Sequence, residues 1–304
     1  MSDTASAPER CGFIALIGAP NAGKSTLLNR LVGAKISIVS PKVQTTRRRV
    51  IGIAMQDNAQ LIFIDTPGIF SPKRRLDRSM VAAAWGGTEE ADQIVLLVDA
   101  TVRGINDETR QIIAGLKKAG RKAILAINKV DAVKRDKLLA LTAELNALGD
   151  FTDTFMISAE TGDGVDDLMK LLTARLPAGP HHFPEDELTD LPLRLLAAEV
   201  TREHLFRQLY DELPYDLTVE AEGWEEFKDG SVKISHVIFI ARDSQKSIIL
   251  GKGGQRIKAV RSAAQKDIEE MLQRKVHLFL FVKVREDWQE DPERYREMGI
   301  DFET

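Results

Sequence analysis

The stretch Gly18-Ala19-Pro20-Asn21-Ala22-Gly23-Lys24-Ser25 constrains this chain more than any other. It fits G-x-x-x-x-G-K-[ST], and it lies between the apolar run FIALIG (13–18) and TLLNRLVG, a helical stretch opening at Thr26. That strand–loop–helix setting is what the motif requires. Glycines there let backbone N–H groups curl round a phosphate, and the helix N-terminus adds its dipole. Lys24 is expected to reach the β- and γ-phosphates of a nucleoside triphosphate, and Ser25 to ligate Mg²⁺.

The rest of the first 177 residues alternates in the same way. VIGIAM (50–55), LIFIDT (61–66), QIVLLVDA (93–100), AILAIN (123–128) and FMISA (155–159) read as further buried strands. Stretches such as 107–119 and 135–148 are long enough for crossover helices. The pattern predicts an α/β domain over 11–178, a mostly parallel six-stranded sheet with helices on both faces. Three prolines and a cluster of acids in PAGPHHFPEDELTD then break both periodicities, and 179–190 reads as a linker. Beyond it the pattern changes to an amphipathic helix (192–209) and two strands paired antiparallel around FKDG. A short helix (244–250), the glycine loop GKGG, a helix over about 255–273 and a last strand (275–285) follow. This predicts an α+β domain over 191–285, with 286–304 an acidic C-terminal tail.

The net charge of −4 hides strong segregation. Residues 181–241 carry 5 Lys and Arg against 14 Asp and Glu, residues 242–285 carry 11 against 4, and residues 286–304 carry 2 against 8. A basic block between acidic ones is what a polyanion would feel, although a solvated helix face can carry the same composition. No apolar run approaches the ~18 residues of a membrane span. The opening MSDTASAPER has acids and a proline where a secretory signal would be apolar, and one cysteine, Cys11, permits no internal disulfide. A reducing cytoplasm is the expected setting. The five histidines have no metal-ligand spacing.

Three further signals fall at the carboxyl ends of expected strands. In Asp65-Thr66-Pro67-Gly68 the carboxylate can hold Mg²⁺ through water and the glycine N–H can meet a γ-phosphate. In Asn128-Lys129-Val130-Asp131 the last carboxylate can accept from both N1–H and the 2-amino group of guanine. Adenine offers neither donor, so GTP is the expected nucleotide. After the last strand a backbone N–H of Ser158-Ala159 can meet guanine O6. Alone, the first tetrapeptide is commonly a turn and the second can be a helix cap. Their order is what raises them.

GKGG cannot be a second loop of the first kind. Lys252 is followed by Gly253 where Ser or Thr would be needed, and a helix precedes it. The pattern I-L-G-K-G-G-Q-R-I instead fits a KH domain, whose G-x-x-G clamps the sugar–phosphate backbone of single-stranded nucleic acid. Gly251 and Gly254 let the main chain approach phosphate, while Lys252, Arg256 and Lys258 supply charge. Ile248 and Ile249 are candidates to line a base groove, and Gly253 within the loop and Ile257 one turn beyond it are also expected to contact RNA. A bare G-x-x-G is usually a turn. The flanking helices, the following strand and the basic block favour RNA.

GAPNAGKSTLLNRL, QTTRRR, DTPGI, NKVD, ISAETG, HHFPED and the GKGG region stand in the order found in the Era family of GTPases, which the chain resembles over its length apart from the first ten residues. The resemblance implies a P-loop GTPase domain followed by a type II KH domain, with GTP/GDP and Mg²⁺ as ligands. It implies single-stranded RNA at the 3′ end of 16S ribosomal RNA as partner, and a role in 30S subunit assembly. It also implies a cytoplasmic monomer with some peripheral contact to the inner membrane. Gln44, Thr45, Thr46, Arg47 and Arg48 would form the first switch, with Thr46 rather than Thr45 as Mg²⁺ ligand beside Ser25 and Asp65. A basic surface loop is the plainer reading of that stretch.

Lys24, Thr46 and Gly68 would then stabilise the phosphates. Ile69 stands where many GTPases carry a water-orienting glutamine, so no general base is assigned and slow hydrolysis is expected. Two readings of Asn21 stand side by side: it satisfies the tight turn, or its amide oxygen helps hold K⁺ as in related tRNA-modifying GTPases. Rival functions are a tRNA-modification-type GTPase, whose C-terminal cysteine motif is not matched by GIDFET, and an RNA-binding protein with little turnover.

Overall fold

The computed structural model describes residues 8–42, 45–70, 72, 75–211, 213–286, 288, 291–298, 300 and 302. Two compact units emerge. One holds the chain up to Ile36 and Thr46–Asp190, the other Ser37–Thr45 and Leu191–Met298.

The first unit runs β1 (Arg10–Gly18), α1 (Lys24–Val32), β2 (Val50–Gln56), β3 (Ala59–Asp65), α2 (Arg75–Glu90), β4 (Gln93–Asp99) and α3 (Asp107–Lys118). It continues through β5 (Ala123–Asn128), α4 (Arg135–Leu148), β6 (Phe151–Met156) and α5 (Val165–Ala174). The six strands form one sheet in the order β2-β3-β1-β4-β5-β6, and only β2 runs antiparallel to its neighbour. The mostly parallel sheet expected from the alternation is therefore present. Successive side chains of a strand point to opposite faces, and β1 divides its residues accordingly. Ile14 and Leu16 join Leu27, Leu28 and Leu31 of α1 and Leu168 and Leu172 of α5 in one core. Ala15 and Ile17 join Ile112 and Leu116 of α3 and Leu138 and Leu145 of α4 in the other.

Two sequence expectations shift here. The last strand covers Phe151–Met156 rather than 155–159, because β6 is a half-exposed edge strand whose polar FTDT start shows no apolar run. Ile157, Ser158 and Ala159 are buried in the loop that follows. The tract expected as a linker lies against its own unit: buried Gln60 of β3 accepts from the His182 and Phe183 N–H groups at 2.8 and 3.0 Å, and Ile53 N–H donates to Leu188 O at 2.9 Å.

The second unit contains α6 (Leu193–Gln208), β7 (Leu217–Glu226), β8 (Val232–Ile240), α7 (Asp243–Leu250), α8 (Gln255–Leu272), β9 (Val276–Val284) and α9 (Pro292–Met298). Strands β7 and β8 pair antiparallel and β9 joins β8 in parallel. The α-β-β-α-α-β order is that of a type II KH domain. Helix α6 is not amphipathic in the expected sense, since all but one of residues 196–206 are buried. The acidic tail contains a helix: Arg294 of α9 pairs with Glu220, and its guanidinium lies 4.5 Å from the Phe239 ring centroid.

Candidate functional site

The first glycine loop closes between β1 and α1 as the motif predicts. Asn21 sits at φ 63°, a left-handed conformation that asparagine tolerates better than most residues. Gly23 sits at φ 96°, and an added Cβ there would come within 2.2 Å of Asn128 Nδ2. Lys24, first residue of α1, is buried and folds its Nζ onto Gly18 O and Ala19 O, both at 3.1 Å. Burial pushes its pKa down to about 8, with Asp65 opposing the shift. A desolvated ammonium whose hydrogen bonds among the described residues go to two carbonyls is a group that an anionic ligand would stabilise.

Ser25 Oγ donates to Asp65 Oδ2 at 2.7 Å and lies 2.9 Å from Thr46 Oγ1. Three separate segments thus bring two hydroxyls and a carboxylate together, the hard oxygen donors that suit Mg²⁺. Thr45 does not take part: its hydroxyl lies 2.6 Å from Ser40 Oγ and donates to Lys42 O at 2.7 Å. Arg47 and Arg48 are buried rather than forming an exposed basic loop. Gln44 lies outside the described residues.

Asp65 closes β3, and Thr66 is buried with its hydroxyl on Leu16 O at 3.1 Å. Pro67 follows. A Cβ at Gly68 would stand 3.0 Å from the Pro20 backbone, close enough that the first loop would have to shift to admit it. The Ile69 side chain is 3% exposed and packs in the core with Ala15 and Ile17. It cannot reach a water at the phosphate end.

At the other end, Asn128 Nδ2 donates to Ala22 O at 2.8 Å and its Oδ1 accepts from Ala159 N–H at 2.9 Å. One buried amide therefore ties the phosphate loop to the loop after β6. Lys129, at φ 66°, pairs with Asp99 at 2.5 Å. Burial raises the Asp99 pKa, but the bonds from Lys129 and Thr101 outweigh it and hold the carboxyl below its usual range. Val130 N–H donates to Ile157 O at 3.3 Å, which seats the turn so that Asp131 is exposed. Ser158 is fully buried and its N–H donates to Asp163 O at 2.9 Å.

In the second unit, Gly251, Gly253 and Gly254 all have left-handed φ, at 72°, 58° and 74°. Lys252 and Lys258 are exposed. Arg256 Nη1 donates back to Ile248 O at 2.5 Å, capping a carbonyl of α7 and bracing the loop. One expected RNA-contact residue is corrected. Ile249 is 0% exposed and belongs to the core with Leu205, Ile238 and Val260, so it cannot line a base groove. Ile248, at 49% exposed, faces outward instead. Ile257 is partly buried against the same core.

Two residues at the base end escaped the sequence reading. Asp99 ends a buried apolar strand on the edge where the other motifs end, a legible signal. Arg30, in the last turn of α1, donates through Nε to Ala159 O at 2.6 Å and through Nη2 to Glu160 O. In sequence it is an ordinary helix-terminal cation.

Residues 13–129 match a family model described as 50S ribosome-binding GTPase, and residues 212–289 match one for the KH domain. The chain is 61% identical over 302 residues to the GTPase Era of Sinorhizobium medicae, covering 99% of this chain and 97% of that one. It is 59% identical over 295 residues to the GTPase Era of Agrobacterium fabrum, with 97% and 93% coverage. A crystal structure of Era in complex with MgGDPNP and nucleotides 1506–1542 of 16S ribosomal RNA superposes with a TM-score of 0.90 at 40% identity, over 96% of this chain and 99% of that one. An Aquifex aeolicus Era variant bound to GDP·AlF4⁻ gives 0.89 at 40% identity, over 95% and 99%.

Proposed function

The chain belongs to the Era family of GTPases, and on that premise we propose that it binds and slowly hydrolyses GTP while its KH unit holds the 3′ end of 16S ribosomal RNA during 30S subunit assembly. The observation that carries the nucleotide half is the convergence of Ser25, Thr46 and Asp65 beside buried Lys24, with Asn128 joining that end to the exposed Asp131. Gly18–Thr26 cradle the phosphates, with Lys24, Thr46 and Gly68 opposite the charge that builds on them. Bound Mg²⁺, held by Ser25 and Thr46 directly and Asp65 through water, would neutralise charge on the β- and γ-oxygens. Asp131 selects guanine. Ile69 is turned into the core and cannot orient the attacking water, so a slow reaction is expected.

The RNA half rests on the left-handed glycines of GKGG beside exposed Lys252 and Lys258. Membership in the family extends the proposal to a monomer with peripheral membrane contact. Among the described residues no helix is long and apolar enough to cross a membrane. A tRNA-modifying activity finds little support, because Cys11 is buried in β1 with its thiol 3.6 Å from Gln60 Oε1.

Phosphate release from the purified protein, with and without an RNA of the small-subunit 3′ end, tests the reading. Slow GTP-specific turnover that disappears in Lys24→Ala is expected. Nucleotide binding without turnover, in RNA as well as alone, would favour a passive RNA-binding protein.

A further inference from the structure

The first unit carries a groove between the loop that follows β4 and helix α4, enclosing about 830 Å³. That volume lies within the range of ligand clefts, about 300–1,000 Å³. Lys137, Leu141 and Glu144 stand at i, i+4 and i+7, so one face of α4 forms a wall ~10 Å long. Buried Leu141 and the 40% exposed Val102 of the loop give the groove an aliphatic lining. Its charge is uneven. Lys134 and Lys137 stand where α4 begins and Arg103 on the loop, and none of the three side chains makes a hydrogen bond or ion pair among the described residues. Lys134 is also the N-cap residue of α4 and supplies no capping oxygen, so the first-turn N–H groups add their partial positive charge. Glu144, the one acid among the described lining residues, is two turns further along, and Asp136 of the first turn is not part of the walls.

A solvated surface lysine needs no partner. Three unpaired cations bordering one aliphatic groove are a different matter, because together they match a segment that carries acids beside an apolar anchor. We propose that this groove docks an acidic amphipathic helix of a partner protein, with carboxylates against Arg103, Lys134 and Lys137 and an aliphatic side chain between Val102 and Leu141. A helix laid beside α4 in this way uses anchors at i and i+3 or i+4 to fill the groove, while the charges at its end set its direction. Single-stranded RNA fits the same surface less well. No aromatic residue is among the described lining for a base to stack on, and Glu144 would face a phosphate.

The probe is a fluorescein-labelled peptide, acetyl-DELAELLAK-amide, which places carboxylates at one end and leucines on one helical face. It is added to the full chain loaded with GDP and followed by fluorescence anisotropy. Saturable binding is expected. Arg103→Glu and Lys134→Glu should each weaken it about tenfold, and Val102→Asp should do the same by setting a like charge where the aliphatic contact was. Lys118→Glu, which reverses an exposed cation at the end of α3, should change it by less than about two-fold. All four positions are exposed, so the fold should survive in each variant, with circular dichroism as the check. A parent that does not bind the peptide, or a loss in Lys118→Glu equal to the others, would overturn the proposal. So would displacement of the peptide by octauridylate from the parent and from Gly253→Asp alike, which would mark the groove as a surface for phosphates.

Discussion

The hydroxyls of Ser25 and Thr46 lie 2.9 Å apart, and the Ser25 hydroxyl also donates to Asp65 Oδ2 at 2.7 Å. Neighbouring Thr45 spends its hydroxyl on Ser40 and Lys42. Two adjacent threonines that sequence barely separates are therefore assigned different work by their partners. Thr46→Val should weaken binding of a non-hydrolysable GTP analogue in Mg²⁺ about tenfold, the equivalent of ~1.4 kcal/mol, and leave GDP nearly unchanged. Thr45→Val should alter neither. Titration with fluorescent nucleotides decides it, and matching losses in the two variants would remove Thr46 from the metal.

Asp131 is exposed on a turn seated by Val130 N–H on Ile157 O, so substituting it should change recognition without disturbing the core. In Asp131→Asn a double acceptor becomes one donor and one acceptor, which suits xanthine. A charge-assisted contact of ~2–3 kcal/mol implies a loss in GTP affinity of about two orders of magnitude, with XTP gaining. Unaltered GTP binding in this variant would show that guanine sits elsewhere.

Lys24 links the site to stability. Burial lowers its pKa to about 8 in the folded chain, against about 10.4 when unfolded. Between those values the unfolded chain binds a proton that the folded chain has released, so stability rises with pH through that window. Below about pH 8 the nucleotide-free protein carries a buried ammonium at a cost of up to ~3 kcal/mol. Nucleotide-free Lys24→Met should accordingly be more stable than the parent at pH 7, with the gap closing by about pH 10.5. Urea unfolding at the two pH values measures the gap. A gap that does not change with pH would mean that the lysine costs nothing through its charge.

How much of this was legible depended on whether a residue's role is local. The first glycine loop, the strand ends and the order of the KH elements follow from motif context and apolar runs, because parallel strands are buried on both faces. Strand β6 was misplaced since an edge strand carries polar residues. Ile248 and Ile249 are identical in type and adjacent, yet only helix packing decides that the second is core. The tract at 179–190 looked free because nothing in its composition announces Gln60, a buried amide in a distant strand, as its anchor. Arg30 was invisible for the same reason: its partners are backbone carbonyls 129 and 130 residues away.

The two glycine loops should separate cleanly under mutation. A Cβ at Gly251 would meet Arg256 Cβ at 2.7 Å, so substitution there disturbs the fold. A Cβ at Gly253 meets nothing within 4 Å. Gly253→Asp thus places a charge against phosphate without a clash, at the cost of about 1–2 kcal/mol for a side chain on left-handed backbone. It should weaken RNA binding about tenfold and leave GTP affinity as it was, while Lys24→Ala does the reverse. Loss of GTP binding in Gly253→Asp, with circular dichroism unchanged, would mean that the sites are not independent.

The remaining question is what offsets charge between the β- and γ-phosphates when Ile69 is packed into the core and no arginine has been assigned there. Asn21 stands in the loop between Pro20 and Ala22 with φ 63°. That angle is explained by the tight turn alone, since asparagine is one of the few residues that adopts it readily. It also leaves the side chain of an exposed residue at the phosphate end of the site. A monovalent cation held by the Asn21 amide oxygen, switch carbonyls and phosphate oxygens would occupy the place of an arginine finger. Hydrolysis should then run several-fold faster in KCl than in NaCl at equal ionic strength, and Asn21→Ala should abolish the difference while nucleotide affinity changes little. RNA belongs in both arms of the experiment, because ordering of the switch is part of forming such a site. Equal rates in the two salts, with and without RNA, would leave Asn21 as a turn residue only.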